Sequence, residues 1–398
     1  MEQESNFKNI AVIGCGAAGG FASILISQNP FCRVVGFDTK EPFSTLLPTG
    51  GGRCNITFEE SDIFELVKNY PRGEKFLLSV FSKCGVEKTR NLLADLGVKT
   101  YVQEDRRVFP VSNSSKKTME ILSKHLKNSN FTHKREKVFA IKKDCEKFIL
   151  QTAMNEYEFD AVVIATGGRG NGFELAKQLG HKVTELKPSL CSLDILEKEF
   201  YTLAGVSLKN VQATFKTDKK YIVCGDLLFA HKFITAPLVF KVSALSAYEE
   251  ISEEKPLEIS LRLVEFSYDE IDDYIKQNSK KTVKNVFSKF VPESFISLIL
   301  QKNNIDSSKQ CAHLKNEEKY FLIKSLLEFK LHAIGRIKDS EIVTAGGVDL
   351  KEVDSKTMQS KLVENLFFAG EVLDIDAYTG GFNLQNCWST ACIVALNF

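Results

Sequence analysis

The residues with the clearest chemical meaning in this chain are glycines. Gly14, Gly16 and Gly19 stand in the pattern G-x-G-x-x-G, directly after the apolar run NIAVI (9–13) and directly before FASILI (21–26), where apolar residues recur at helical spacing. A strand, a glycine turn and a helix in this order let a pyrophosphate approach bare backbone. The helix start adds unpaired N–H groups and a partial positive charge. A second apolar run, CRVVGF (32–37), ends at Asp38, nineteen residues beyond Gly19. A carboxylate there accepts hydrogen bonds from both hydroxyls of a ribose and repels a 2′-phosphate, so the pattern predicts bound FAD or NAD and not NADP.

Three further segments carry the same kind of signal. Residues 49–57 read TGGGRCNIT. Three consecutive glycines cost backbone entropy and bury almost nothing, so core packing does not explain them. They suit a backbone lying against a flat or charged ligand, with Arg53 and Asn55 as polar contacts; a floppy surface loop is the competing reading. Cys54 has no partner cysteine in sequence, which favours a structural thiol over a redox one. FDAVVIATGG (159–168) reads as a buried strand ending in Ala165, Thr166, Gly167 and Gly168, where backbone can meet a ligand above the carboxyl edge of a parallel sheet. Near the C-terminus a strand ends in Gly370 and Glu371, and a loop carries Gly380 and Gly381 into an apolar helix that begins near Phe382. That helix start can face an anionic ligand, and Glu371 can bind polyol hydroxyls. Arg106 and Arg107 read as a solvated charged turn, and His231 as a partly buried histidine satisfied by its neighbours ahead of a catalytic base.

These signals need elements to hold them. The chain has 398 residues, enough for about two or three domains. Its 43% apolar and 26% charged residues are ordinary globular usage. Lys plus Arg (52) balances Asp plus Glu (51), so no global field holds a polyanion: a small-molecule substrate is expected, and nucleic acid is not. The ten cysteines lack a C-x-x-C pair or metal-ligand spacing, which predicts no metal site and a reducing, cytoplasmic setting. Residues 10–27 carry no charge, but their four glycines suit a strand and turn better than a membrane anchor. No other window approaches about 20 apolar residues, so no membrane association is expected. Residues 188–257 favour short strands and turns, and 258–330 are more charged and mostly helical.

GGGRCNIT, RRVFPVSN, ATGG, VTAGGVDLKEVDSKTMQSKL and FAGEVLDIDAYTGGFNLQNCWSTA, in this order and over nearly the whole chain, resemble the BaiN-type, aminoacetone-oxidase-like family of NAD(P)/FAD-dependent oxidoreductases. That family lies within the glutathione-reductase-like flavoprotein superfamily. The resemblance implies an α/β fold: a Rossmann-like FAD-binding domain with a mostly parallel sheet (1–187 and 341–398), interrupted by a β-barrel-like domain (188–257 and 331–340) that carries a small helical insert (258–330). It implies that Gly14, Gly16, Ala17, Ala18 and Gly19 hold the pyrophosphate, Asp38 and Thr39 the adenosine ribose, and Val138 the adenine. Gly51, Gly52, Arg53, Cys54 and Asn55 border the flavin, Ala165, Thr166 and Gly167 line its approach, Gly370 and Glu371 meet the ribityl chain, and Gly380, Gly381, Phe382 and Asn383 meet the pyrimidine edge. The activity implied is hydride transfer between flavin and a small organic substrate or a nicotinamide donor, with Arg53 and His231 as candidates for orientation or proton transfer. No second complete G-x-G-x-x-G is present, so NADH or NADPH would dock only transiently.

Four departures from the family pattern bear on substrate chemistry more than on FAD. AHKFITAP keeps only His231 and Pro237 of the middle-domain pattern, and the segment after ATGG is shortened to RGNG. Ala377 replaces a glycine, and STLLPT lacks a lysine before the glycine triplet. They make a non-catalytic FAD-binding sensor or scaffold the alternative function.

Overall fold

The computed structural model describes residues 7–398, which form two compact units: 7–187 with 344–398, and 188–343. The first unit is built on strands β1 (Lys8–Ile13), β2 (Cys32–Phe37), β3 (Thr100–Val102), β4 (Arg107–Pro110), β5 (Phe131–Lys134), β6 (Ala161–Ile164) and β7 (Leu366–Phe368). Its principal helices are α1 (Ala17–Ile26), α2 (Ser115–Lys127) and α3 (Phe382–Ala395). Five strands form a parallel sheet in the order β7–β6–β1–β2–β5. Ile10–Ile13 in β1 and all four residues of β6 are buried, as expected of parallel strands covered on both faces. The chain leaves β1 for β2 on one side and returns through β6 on the other, so the carboxyl ends of β1 and β6 mark a switch point.

Two helices that begin at this edge pack on each other, with the rings of Phe21 (α1) and Trp388 (α3) 5.2 Å apart and edge to face. α3 is buried on nearly every side, yet it carries Gln385, Asn386, Ser389 and Thr390. Most of that buried polarity is paired. Gln385 Oε1 accepts from Thr57 Oγ1 (2.5 Å), its Nε2 donates to Thr89 Oγ1 (2.9 Å), and Ser389 Oγ donates to the Cys84 carbonyl (2.6 Å). Trp388 Nε1 donates to the carbonyl of Ile56 (3.0 Å). The C-terminal helix therefore holds the segment that follows the glycine triplet.

The second unit contains a closed six-stranded barrel in the order Leu193–Ile195, Ile234–Thr235, Lys220–Phe229, Ser207–Lys216, Leu257–Arg262, Phe329–Arg336. The helix Pro237–Leu245 directs Leu238, Val239 and Val242 toward Leu193, Leu227, Ile259, Leu261 and Leu331 of the barrel wall. Helices Tyr268–Gln277, Val283–Phe287, Glu293–Lys302 and Asn316–Leu327 lie between the last two strands. Those strands reach into the segment expected to be a helical insert, because LEISLR alternates buried and exposed residues with period two. The unit also runs to Val343 and so includes residues 341–343, which were expected with the first domain. Among the described residues no helix is long and apolar enough to cross a membrane.

Candidate functional site

At the switch point the glycine turn lies directly on the end of β6. A Cβ on Gly14 would sit 2.6 Å from the Ala165 carbonyl oxygen, and one on Gly19 would sit 1.8 Å from the carbonyl oxygen of Gly14. Asp38 closes the same turn: Oδ2 accepts from Cys15 N (2.8 Å) and Oδ1 from Lys40 N (2.9 Å). A carboxylate has about four lone-pair positions, so these bonds fix its orientation and leave acceptors for ribose hydroxyls. Burial, reinforced by the Asp38 charge, pushes the Cys15 thiol far up, and it stays protonated. Thr39, next along, is exposed. Ala17 and Ala18 are buried at the start of α1. Sequence reasoning missed Thr45, whose hydroxyl borders Gly16 and accepts from Ala17 N (3.2 Å). It lies in the STLLPT segment, where the expected lysine is absent, and it already answers one of the open N–H groups of α1.

The ends of β6 and β7 meet beside this turn. Thr166 Oγ1 accepts from Gly172 N (3.1 Å), and a Cβ on Gly370 would lie 2.8 Å from the Cβ of Ala18. Thr390 Oγ1 of α3 receives the Gly370 N–H (2.9 Å). The Glu371 carboxyl group stands near Gly167 and Gly168, within 4.0 Å of the positions their Cβ atoms would take. Val138 is buried, with its carbonyl accepting from Asn171 Nδ2 (2.7 Å).

The glycine triplet differs from these turns. Gly51 and Gly52 are exposed at φ +66° and +82°, and a Cβ on either would meet no atom within 4 Å. Ser115 Oγ anchors the loop to the carbonyls of Leu47 (2.8 Å) and Gly52 (2.9 Å). Cys54 is fully buried; burial pushes its thiol up to about 11 against the pull of a hydrogen bond to Thr49, which makes it inert at neutral pH. Asn55 is buried, and its Oδ1 has no hydrogen-bond partner among the described residues.

At the start of α3 the helix N-terminus is bare main chain. A Cβ on Gly381 would lie 2.5 Å from the Thr57 carbonyl oxygen, and no side chain caps the helix. Asn383, however, spends its side chain on the preceding loop: Oδ1 accepts from Ala377 N and Nδ2 donates to Ala377 O, both at 2.9 Å. Phe382 is buried, and its carbonyl accepts from Tyr70 Oη (2.7 Å). Phe382 and Asn383 are the first residues of the helix, so their main-chain N–H groups are among its open donors. The loop before them is pinned by the ion pair of Arg72 with buried Asp376.

The two expected catalytic candidates stand in different units. Arg53 follows the glycine triplet and is held by Tyr101, Asn113 and the ring of Phe109. His231 lies in the second unit, on an exposed turn between Lys220–Phe229 and Ile234–Thr235. Expected to be partly buried and satisfied, it makes no hydrogen bond among the described residues, because the 230–233 turn closes through Ala230 N and Phe233 O (2.8 Å) and leaves the ring in solvent.

Bare main chain at Gly51 and Gly52, the unpartnered buried Oδ1 of Asn55, and glycine turns pressed backbone to backbone fit a long ligand with phosphates at one end and a flat hydrogen-bonding ring at the other. Family models agree with that geometry. The HI0933-like protein Rossmann domain matches residues 8–231 and 304–397, and the HI0933-like protein barrel and H2TH domain matches 187–341. The chain belongs to the HI0933-like family. With that membership the flavoprotein superfamily and the enzyme class expected from sequence hold: this is an FAD-binding Rossmann protein and an FAD-dependent oxidoreductase. Among its HI0933-like relatives, the ribosomal RNA dihydrouridine synthase of Escherichia coli (strain K12) is 26% identical over 397 residues, covering 96% of this chain and 95% of that one. The 3-dehydro-bile acid delta(4,6)-reductase of Clostridium scindens is 26% identical over 401 residues, covering 96% of each chain. A solved structure of E. coli quinol fumarate reductase FrdA aligns with 98% of this chain and 69% of its own, at 14% identity and a TM-score of 0.48.

Proposed function

We propose that this HI0933-like protein reduces a carbon–carbon double bond conjugated to a carbonyl in a small organic molecule, with NADH or NADPH docking transiently as the electron donor. The observation that carries the reading is the exposed Gly51–Gly52 main chain beside Asn55, bare backbone left for a flat ring next to open space for a substrate. Two relatives add the type of bond. Dihydrouridine is uridine with its ring double bond saturated, and a delta(4,6)-reductase acting on a 3-dehydro bile acid adds hydrogen to double bonds in conjugation with a ketone. Both names describe the addition of two hydrogens across a double bond activated by a carbonyl, although the molecules that carry it differ.

FAD bound at this edge supplies the two-electron, hydride-carrying chemistry. The protein's part is to hold and to polarise. Gly14 to Gly19 offer a backbone cradle at the start of α1 for the pyrophosphate, Asp38 takes the ribose, and Glu371 takes the hydroxyl chain. With FAD bound, the first N–H groups of α3 would face its pyrimidine edge, and their partial positive charge would favour negative charge there and the acceptance of a hydride. The balanced net charge of +1 favours a small molecule over RNA as the substrate.

The test is anaerobic. Flavin-loaded protein is reduced with NADPH or NADH, then mixed with a cyclic enone, a steroid 4-en-3-one or a uridine-containing ribosomal RNA fragment. The expected result is return of the oxidised flavin band with an enone and a product two hydrogens heavier by mass. Dithionite-reduced protein that no acceptor reoxidises would overturn the reading. Reoxidation by the RNA fragment alone would replace the small-molecule substrate with RNA.

A further inference from the structure

The guanidinium of Arg53 is gripped by neutral groups only. Its Nη2 donates to Tyr101 Oη and to Asn113 Oδ1, both at 3.0 Å, and its Nε donates to Asn113 Oδ1 at 3.2 Å. Tyr101 Oη in turn donates to the same Asn113 oxygen (2.8 Å), and the Arg53 Cζ lies 4.0 Å from the ring centroid of Phe109. Tyr101 sits on β3, Phe109 on β4 and Asn113 in the turn before α2, so three elements fix one side chain. Other arginines of this region carry acid partners: Arg90 pairs with Glu59, Arg106 with Glu60 and Arg107 with Asp105. Arg53 has no such partner among the described residues.

An oriented guanidinium whose hydrogen-bond partners are all neutral keeps its charge for an anion brought by a ligand. The bonds that orient Arg53 leave its Nη1, and the Nδ2 of Asn113, without a partner among the described residues. Nη1, on the edge of the guanidinium away from Asn113, is the donor left for an oxygen of a carboxylate or phosphate.

We propose that Arg53, held in place by Tyr101, Asn113 and the ring of Phe109, is an oxyanion site that binds a carboxylate or phosphate on the substrate. The site rests on the reading of this edge as the place where flavin and substrate meet, and it assigns Arg53 to the substrate instead of the flavin. Tyr101 and Phe109 are positioning residues that hold the guanidinium in plane.

Calorimetric titration with sodium benzoate, sodium acetate and inorganic phosphate tests this on flavin-loaded and flavin-free protein. Wild-type protein is expected to bind benzoate at least about tenfold more tightly than R53Q, the size of one charge-assisted hydrogen bond. R53K should fall between them, because it keeps the charge and loses the fork. Y101F and N113A should weaken binding by about threefold to tenfold, and added salt should weaken it in wild type only. Phosphate binding more tightly than benzoate and acetate assigns a phosphate to this cation, and the reverse order assigns a carboxylate. The proposal is overturned if R53Q binds these anions like wild type, or if R53Q loses FAD with an unchanged melting temperature, which makes Arg53 a cofactor residue. Anion binding without enone reduction would sink the reductase reading alone, and enone reduction without anion binding would sink this one alone.

Discussion

Gly19 and Gly51 belong to the same unit and to the same candidate site, yet a methyl group on Gly19 would lie 1.8 Å from the Gly14 carbonyl oxygen and one on Gly51 would meet no atom within 4 Å. The first kind of glycine is used up by the protein: Gly14 faces Ala165, Gly370 faces Ala18 and Gly381 faces Thr57, each at less than van der Waals distance for an added carbon. The second kind is open, held at positive φ and turned to solvent. Closed glycines draw β1, β6, β7 and α3 together and so shape the edge. Open glycines contribute nothing to packing; they let the backbone take its left-handed course and leave main chain bare toward whatever lies outside the protein. The contrast separates residues that build the site from residues that meet its ligand.

The sharpest way to break the comparison is Gly19→Ala. Its Cβ cannot be accommodated without moving the turn off β6, which places it among the rare substitutions that cost more than about 4 kcal/mol. Urea unfolding with circular dichroism should show loss of the native transition or a large fall in midpoint. A soluble variant with near-native stability would mean that Gly19 is not closed after all.

Next in size is the paired change Gly51→Ala and Gly52→Ala. Left-handed backbone costs an alanine about 1 kcal/mol at each position, and no clash is added. Stability should fall by about 2 kcal/mol, while flavin content per chain, read from the visible band, should fall much further. Full flavin content in this variant would erase the distinction between the two kinds of glycine.

How much of this was legible beforehand follows the same division. The G-x-G-x-x-G turn, Asp38, ATGG and the glycine-led start of α3 are local patterns, each contained in a few consecutive residues, and the parallel sheet follows from the buried strands around them. What could not be read are pairings between distant segments. Tyr101 and Asn113 reach Arg53 across 48 and 60 positions, and Tyr70 reaches Phe382 across 312. No periodicity or spacing in one chain encodes such contacts. The side chain of Asn383 belongs with these contacts: only the fold shows its amide closing on Ala377. His231 was read as partly buried from its apolar surroundings, FAHKFI, and strand alternation cannot say which side of a two-strand turn faces water.

A smaller effect sharpens the boundary of the open loop. Ser115→Ala removes the one hydroxyl that reaches both Leu47 and Gly52, a net loss of about 1 kcal/mol, since the freed carbonyls can turn to water. The expected signature is a modest fall in melting temperature with a larger rise in the FAD dissociation constant, because the loop loses its shape before the fold loses its core. A fall in melting temperature with unchanged FAD affinity would place the loop's order elsewhere.

The smallest effect concerns Cys54, which joins the two regions. Its backbone is left-handed at φ +64°, like the open glycines before it, while its side chain is completely buried, like the closed ones. With the thiol pushed up to about 11 by burial, on the order of one molecule in a thousand carries the thiolate at pH 8. Iodoacetamide at that pH should therefore modify the exposed Cys145 and Cys224 and leave Cys54 untouched, as peptide mass mapping would read. Because the protein itself buries this thiol, stripping the flavin should not change the result. In the Gly51 and Gly52 double variant Cys54 should also remain unmodified, since nothing that packs on it has been altered. Rapid labelling of Cys54 there would mean that the open glycines hold the closed region in place, and the division between building and binding would fail at that residue.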